Sequence, residues 1–267
     1  MIILIPMGGK GSRFTDAGYK TNKACINTFD RHSGKELPMV ICAMKDVPGV
    51  YDKDNKIICV DRKFHQENGT EDLISQEFEN PIFIHDHVLL DQAFGCFLAR
   101  EFLDSDEDLF IGACDSGMQI DLDHFEKLKS TSDAIMISHT NDENIKSNPN
   151  AHSWALLDSK SSQINSISLK KTISDNPMKD HATTGMFWFK SARVFLKYLE
   201  LMIWNQDTLE DKYYVDKTLQ YYIDDKKIVN FIDVKYICWG TPLDYENYQK
   251  SYNYWKDFIK AESWINQ

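Results

Sequence analysis

Gly8, Gly9 and Gly11 fall within four positions, and Lys10, Ser12 and Arg13 are set among and just after them. Glycine at that density permits positive φ and close backbone approach, so successive N–H groups can line a concavity that holds an anion. Arg13 adds a planar fork of donors matched to phosphate oxygens, and Lys23 follows shortly after. These residue types at this spacing suit a triphosphate. A tight strand-to-helix turn without a ligand is the alternative that the loop alone leaves open. Two other glycine patterns are excluded. A P-loop requires Gly-Lys followed by Ser or Thr, whereas Lys10 precedes Gly11. The dinucleotide fingerprint requires a third glycine where Phe14 stands.

The loop has to be held by what precedes it. Ile2-Ile3-Leu4-Ile5 is a continuous apolar run stopped at Pro6, the pattern of a strand buried on both faces of a parallel sheet. Lys56–Val60, Pro81–Ile84 and Leu109–Cys114 repeat it, with helices expected over 37–47, 70–78 and 91–103. This alternation predicts an α/β fold: a Rossmann-like, mixed, mainly parallel sheet flanked by helices. Asp115 closes the fourth run, at the carboxyl end of a strand, where ligands of open α/β sheets gather.

Beyond Asp133 the pattern changes. Short strand-like pieces at 134–138, 153–157, 164–169 and 185–189 lie close together, followed by helices over 191–204 and 213–223. A strand at 228–232, the segment 236–239 and a helix from Leu243 complete the chain. Two halves are expected, 1–132 for nucleotide and 133–267 for a second substrate, packed as one unit. The aromatics Tyr245, Tyr248, Tyr252, Tyr254, Trp255, Phe258 and Trp264 fall largely at helical spacing. They are expected to dock the last helix, with a contact in a homo-oligomer as the alternative. His85-Asp86-His87 puts two histidines on one face of an extended segment; no third ligand follows at a suitable spacing, so a polar strand end is expected.

Bulk properties narrow the function. The sequence has 267 residues, 42% of them hydrophobic, enough for a sizeable core. No apolar run approaches the roughly 20 residues of a membrane span. Six scattered cysteines without Cys-x-x-Cys spacing read as reduced core residues and point to the cytoplasm. A net charge of -11 disfavours nucleic acid and anionic membranes as partners.

Taken in order, these segments resemble the nucleotidyltransferases that make nucleoside-diphosphate sugars and related activated alcohols. Their fold is the GT-A-like nucleotide-diphospho-sugar transferase fold. The family's Gly-x-Gly-x-Arg signature is matched by Gly9-Lys10-Gly11-Ser12-Arg13-Phe14. Its Lys-Pro-Lys-like segment is matched by Tyr19–Ile26, with Asn22 in place of proline. Ala113-Cys114-Asp115 resembles the segment whose aspartate binds Mg²⁺, and Asp91-Gln92-Ala93 the Gly-Gln-Ala segment near the base. Ser168–Lys171 with Ala182–Phe187 resembles the acceptor segment, Lys171 aligning with its lysine and Lys170 with its glutamate. Trp239–Asp244 resembles the segment that opens the last helix, with Cys238 where many members carry a second metal-binding aspartate. The closest likeness is to capsule- and surface-polysaccharide nucleotidyltransferases that begin Ile-Pro-Met-Ala-Gly.

The resemblance implies transfer of a nucleotidyl group from an NTP, CTP or UTP favoured, to a phosphorylated small molecule, with pyrophosphate released. Met7, Gly8, Gly9, Gly11, Ser12 and Gln92 would bind nucleotide, and Arg13, Lys23 and Lys171 would act in catalysis. Asp115 and Asp244 would hold Mg²⁺, with Asp233 as another candidate for the second ligand. Two rivals remain open. A GT-A glycosyltransferase would need an Asp-x-Asp that Asp115-Ser116-Gly117 does not supply, and an inactive nucleotide-binding subunit would explain Asn22, Lys170 and Cys238.

Overall fold

Strand β1 (Ile2–Pro6) lies at the middle of the parallel part of the main sheet, between β4 (Lys56–Asp61) and β6 (Leu109–Ile111), and is parallel to both. Residues 1–86, 91–159, 161 and 163–265 are described by this computed structural model, with side chains from 258 onward left aside. The remaining strands are β2 (Asn27–Phe29), β3 (Glu36–Pro38), β5 (Ile82–His85), β7 (Ser116–Gln119), β8 (Ala134–His139), β9 (Trp154–Leu157), β10 (Ile164–Ser168), β11 (His181–Phe189), β12 (Val229–Asp233) and β13 (Lys235–Cys238). The helices begin with α1 (Ser12–Asp16), α2 (Met39–Met44), α3 (Lys63–Glu67), α4 (Thr70–Glu77), α5 (Gln92–Leu98) and α6 (Arg100–Leu103). They continue with α7 (Leu122–Lys129), α8 (Glu143–Ser147), α9 (Ala192–Trp204), α10 (Val215–Asp224) and α11 (Pro242–Ile265).

The main sheet runs β10-β9-β11-β6-β1-β4-β5, and β8 pairs with both β11 and β12. Strands β6, β1, β4 and β5 are parallel, whereas β11 is antiparallel to β6, β8 and β9. The sheet is thus continuous across residue 132, since β11 pairs directly with β6.

Period-two alternation along β1 explains the layers. Ile2 and Leu4 face a core shared with Ala93, Cys96, Phe195 and Leu199 of α5 and α9. Ile3 and Ile5 face the opposite core, with Val40, Ile41, Ile74 and Phe125 of α2, α4 and α7. A sheet covered on both faces by helices is the expected α/β architecture, and it is observed.

Several boundaries differ from expectation. The helix expected over 91–103 breaks at Ala99 into α5 and α6. The helix expected from Leu37 begins at Met39, because Glu36–Pro38 is taken by a hairpin with β2. Strand β11 begins at His181, not Gly185; its register shifts between Thr183 and Met186, where Gly185 has φ 81°. A small ribbon of β7 and β13 joins residues just after Asp115 to those just before Gly240.

Candidate active site

Three chambers open at the carboxyl ends of β1 and β6, and Asp115 lines all three. The first, about 260 Å³, is walled by Met7, Gly8, Gly9, Lys23, Gln92 and Gly185 among others. A second, about 250 Å³, is bounded by Gly11, Ser12, Arg13, Lys23 and Gly240. The third, about 580 Å³, extends toward Lys170, His152, Tyr214 and Asp216 of the second half.

The glycine loop reaches this junction through two contacts. Gly11 sits at φ 63°, in the left-handed region, and a Cβ there would stand 3.2 Å from Lys23 Cβ. Asn22, at the proline position of the resemblance, has φ -59°, a value proline also adopts. Its Oδ1 accepts from Ala24 N at 3.1 Å and its Nδ2 donates to Gly9 O at 3.3 Å. Asn22 therefore caps the short turn that carries Lys23 and ties that turn to the loop.

Lys23 Nζ donates to Asp115 Oδ2 at 2.5 Å. Burial opposes the lysine's charge, but the Asp115 carboxylate outweighs it and holds the Lys23 pKa above its usual value. Asp115 Oδ1 has no donor among the described residues. Arg13 is exposed, lines two chambers, and has no carboxylate partner among the described residues.

The ribbon brings Gly240 over Asp115: a Cβ on Gly240 would lie 3.3 Å from Asp115 Oδ2 and 3.5 Å from Cys238 Sγ. Mg²⁺ bridging phosphates needs only one or two carboxylates and keeps several waters. Asp115 meets that requirement. Asp244 lines the third chamber with Asp115, and its Oδ2 accepts from Thr241 Oγ1 at 2.5 Å while Thr241 Oγ1 accepts from Asp244 N at 3.2 Å. That reciprocal pair closes the start of α11. Cys238 is no ready replacement, because Mg²⁺ takes oxygen ligands and not a thiol; burial, with the Asp244 charge, pushes that thiol up to about 12. Asp233 lies outside the three chambers, bonded to Ser138 Oγ at 2.7 Å and paired with His181 Nδ1 at 2.9 Å.

In the second half Lys170, and not Lys171, lines a chamber. Lys171 is exposed and lines none of the three chambers. Lys170, at φ 54°, turns inward, donates to Ala151 O and stands 5.1 Å from the Tyr214 ring centroid. Burial lowers its pKa, Asp216 working in the opposite direction and Arg13 and Lys212 adding to the depression. Gln92 faces the first chamber with part of its amide committed, Nε2 donating to Gly185 O at 2.9 Å. Asp91 caps α5 through Phe94 N at 3.0 Å and accepts from Tyr213 N at 2.8 Å. Leu90 and His87 lie outside the described residues.

The order of strands in this sheet and the helices on its two faces make a fold that solved structures of nucleotidyltransferases and pyrophosphorylases share. One is the nucleoside-diphosphate-sugar pyrophosphorylase from Vibrio cholerae, with TM-score 0.74 and 16% identity over 93% of this chain and 99% of that one. Another is the inositol-1-phosphate CTP transferase from T. maritima, with TM-score 0.63 and 18% identity over 91% and 90%. A third is a UDP-glucose pyrophosphorylase complexed with UDP-glucose, with TM-score 0.68 and 12% identity over 94% and 98%. No protein-family model matches the sequence, and no curated protein matches it. Among the described residues, no helix is long and apolar enough to cross a membrane.

Proposed function

We propose that the chain is a Mg²⁺-dependent nucleotidyltransferase that joins the NMP of an NTP to a phosphorylated acceptor. The observation that carries this reading is the position of Asp115: it lines the loop chamber, the Arg13 chamber and the Lys170 chamber at once. Donor and acceptor phosphates can therefore meet at one carboxylate.

In this reaction an acceptor phosphate oxygen bonds to the α-phosphorus while the α–β bridging bond breaks, and pyrophosphate leaves with that electron pair. The attacking oxygen is already ionised near neutral pH, so no general base is needed. Catalysis rests on positioning and charge neutralisation. The Gly8–Gly11 amides and Arg13 would hold the departing phosphates. Lys23, released from Asp115, would counter charge at the α-phosphorus. Asp115 would hold Mg²⁺, which when bound neutralises charge on the α- and β-phosphates.

One neighbour is named for CTP and one is complexed with UDP-glucose, whereas another, HddC from Yersinia pseudotuberculosis, is complexed with GMP-PN, so the donor base is for the assay to decide. The likeness of Ile5-Pro6-Met7-Gly8-Gly9 to the Ile-Pro-Met-Ala-Gly start of capsule- and surface-polysaccharide nucleotidyltransferases supports a role in that synthesis. Lys170 supports an acceptor bearing negative charge beyond its phosphate, since lysine donates only and cannot accept from a sugar hydroxyl. Pyrophosphate release, measured across the four NTPs with a panel of phospho-sugars and phospho-alcohols, tests the reading. Release with no pair would refute it.

A further inference from the structure

Behind the glycine loop, the carboxyl ends of β4 and β5 gather a second set of groups. Asp61 ends β4 and stands in register with His85 at the end of β5, and Glu71 reaches in from the first turn of α4. His85 Nε2 lies 2.8 Å from Glu71 Oε1 and 3.7 Å from Asp61 Oδ1. One donor atom from each of the three residues lies within 4.8 Å of the others. His85 of the His-Asp-His spacing thus meets two further donors, Asp61 and Glu71, from other elements of the fold.

Asp61 is fully buried, yet among the described residues neither of its carboxylate oxygens has a hydrogen-bond donor. No lysine or arginine pairs with Asp61 or Glu71 among the described residues. Two buried carboxylates without a lysine or arginine beside them are costly, and a bound divalent ion relieves both. Burial and the Glu71 charge push the Asp61 carboxyl up to about 8. The adjacent His65 is also fully buried, with its Nε2 unpartnered.

One imidazole with two carboxylates is a donor set for a first-row transition cation, whereas Mg²⁺ favours oxygen ligands alone. Donors about 2.0–2.2 Å from a tetrahedral zinc ion lie roughly 3.3 Å apart, and the 2.8 and 3.7 Å separations bracket that value. The His85 side chain is 28% exposed, which provides a way in. We propose that Asp61, Glu71 and His85 form a second divalent-cation site, of the zinc class, that fastens α4 to the ends of β4 and β5. It underlies the nucleotide chamber, because a Cβ on Gly8 would stand 3.6 Å from Asp61 O.

The test is calorimetric titration of the full chain with ZnCl2 alone, joined to thermal melting. Asp115→Asn removes the other carboxylate centre and should still bind a single zinc ion with a rise in Tm. His85→Gln and Asp61→Asn should each weaken binding by more than the roughly 10–100-fold that loss of an outer partner costs, and should lose the Tm rise. His85→Gln, partly exposed, is the variant least exposed to misfolding, and circular dichroism checks each protein before titration. If Asp115→Asn binds no zinc, or if folded His85→Gln binds it as tightly as the unaltered chain, the assignment is overturned.

Discussion

Gly11 and Gly9 are two residues apart in one loop, and alanine at each should fail in a different way. At Gly11 the backbone is left-handed, which costs an L-residue about 1–2 kcal/mol. The new Cβ would also press Lys23 Cβ at 3.2 Å, and Lys23 is held through Nζ to Asp115. The lysine must yield by a few tenths of an ångström, and that displacement is passed to the charge pair. Gly11→Ala should therefore lower Tm by about 2–8 °C for a chain of this size. It should also lower kcat by roughly 10-fold, given that a displacement near 1 Å can cost about 10²-fold. Gly9 has no left-handed φ, and nothing lies within 4 Å of its Cβ position. Gly9→Ala should leave stability unchanged or raise it by about 0.4–1 kcal/mol, while raising the KM for NTP, because the open space is the phosphate's. Differential scanning fluorimetry and steady-state pyrophosphate release measure both quantities. An unchanged KM in Gly9→Ala would refute the cradle, and equal Tm values for the two variants would refute the strain argument.

Arg13→Ala and Lys23→Ala should each reduce turnover by about 10²–10³, with melting temperatures close to the parent; near-normal turnover in both would remove them from the phosphate pocket. Asp115→Asn should abolish Mg²⁺-dependent turnover in a folded protein, and unchanged Mg²⁺ titration curves would count against its role. Lys171→Ala should be close to neutral in the kinetics, whereas Lys170→Glu should shift preference from anionic toward neutral phosphorylated acceptors. The reverse ranking of the two lysines would restore Lys171 to the site.

The parallel strands were legible because each is a run buried on both faces, and such runs need no knowledge of their partners. Helix α7 carried a signal that the sequence reading passed over. Asp121 caps it through His124 N, and Leu122, Phe125 and Leu128 follow at helical spacing. The β2–β3 hairpin is three residues a side, too short for a period to declare itself. Nothing local announces that β7 pairs with β13, yet that ribbon sets Gly240 and Cys238 over Asp115. The placing of the two lysines has a similar origin. Strand β10 ends at Ser168, so alternation cannot say which of Lys170 and Lys171 turns inward; the left-handed turn at Lys170 decides it.

The glycine loop rests on the far end of the chain. Tyr245 meets Phe14 and Tyr19 at ring distances of 6.2 and 6.1 Å, and Tyr19 OH donates to Glu246 across 227 positions. The hairpin behind the loop is held the same way, Tyr248 OH donating to Phe29 O at 2.9 Å and Tyr252 stacking on Phe29. On a ribosome the cradle is made first and its brace last. At about 5–20 residues per second, roughly 10–45 s separate the two. During that interval Phe14 and Tyr19 lack the ring that covers them, and the nascent chain carries the glycine loop without the support of α11. The loop thus gains its aromatic brace only after α11 has emerged.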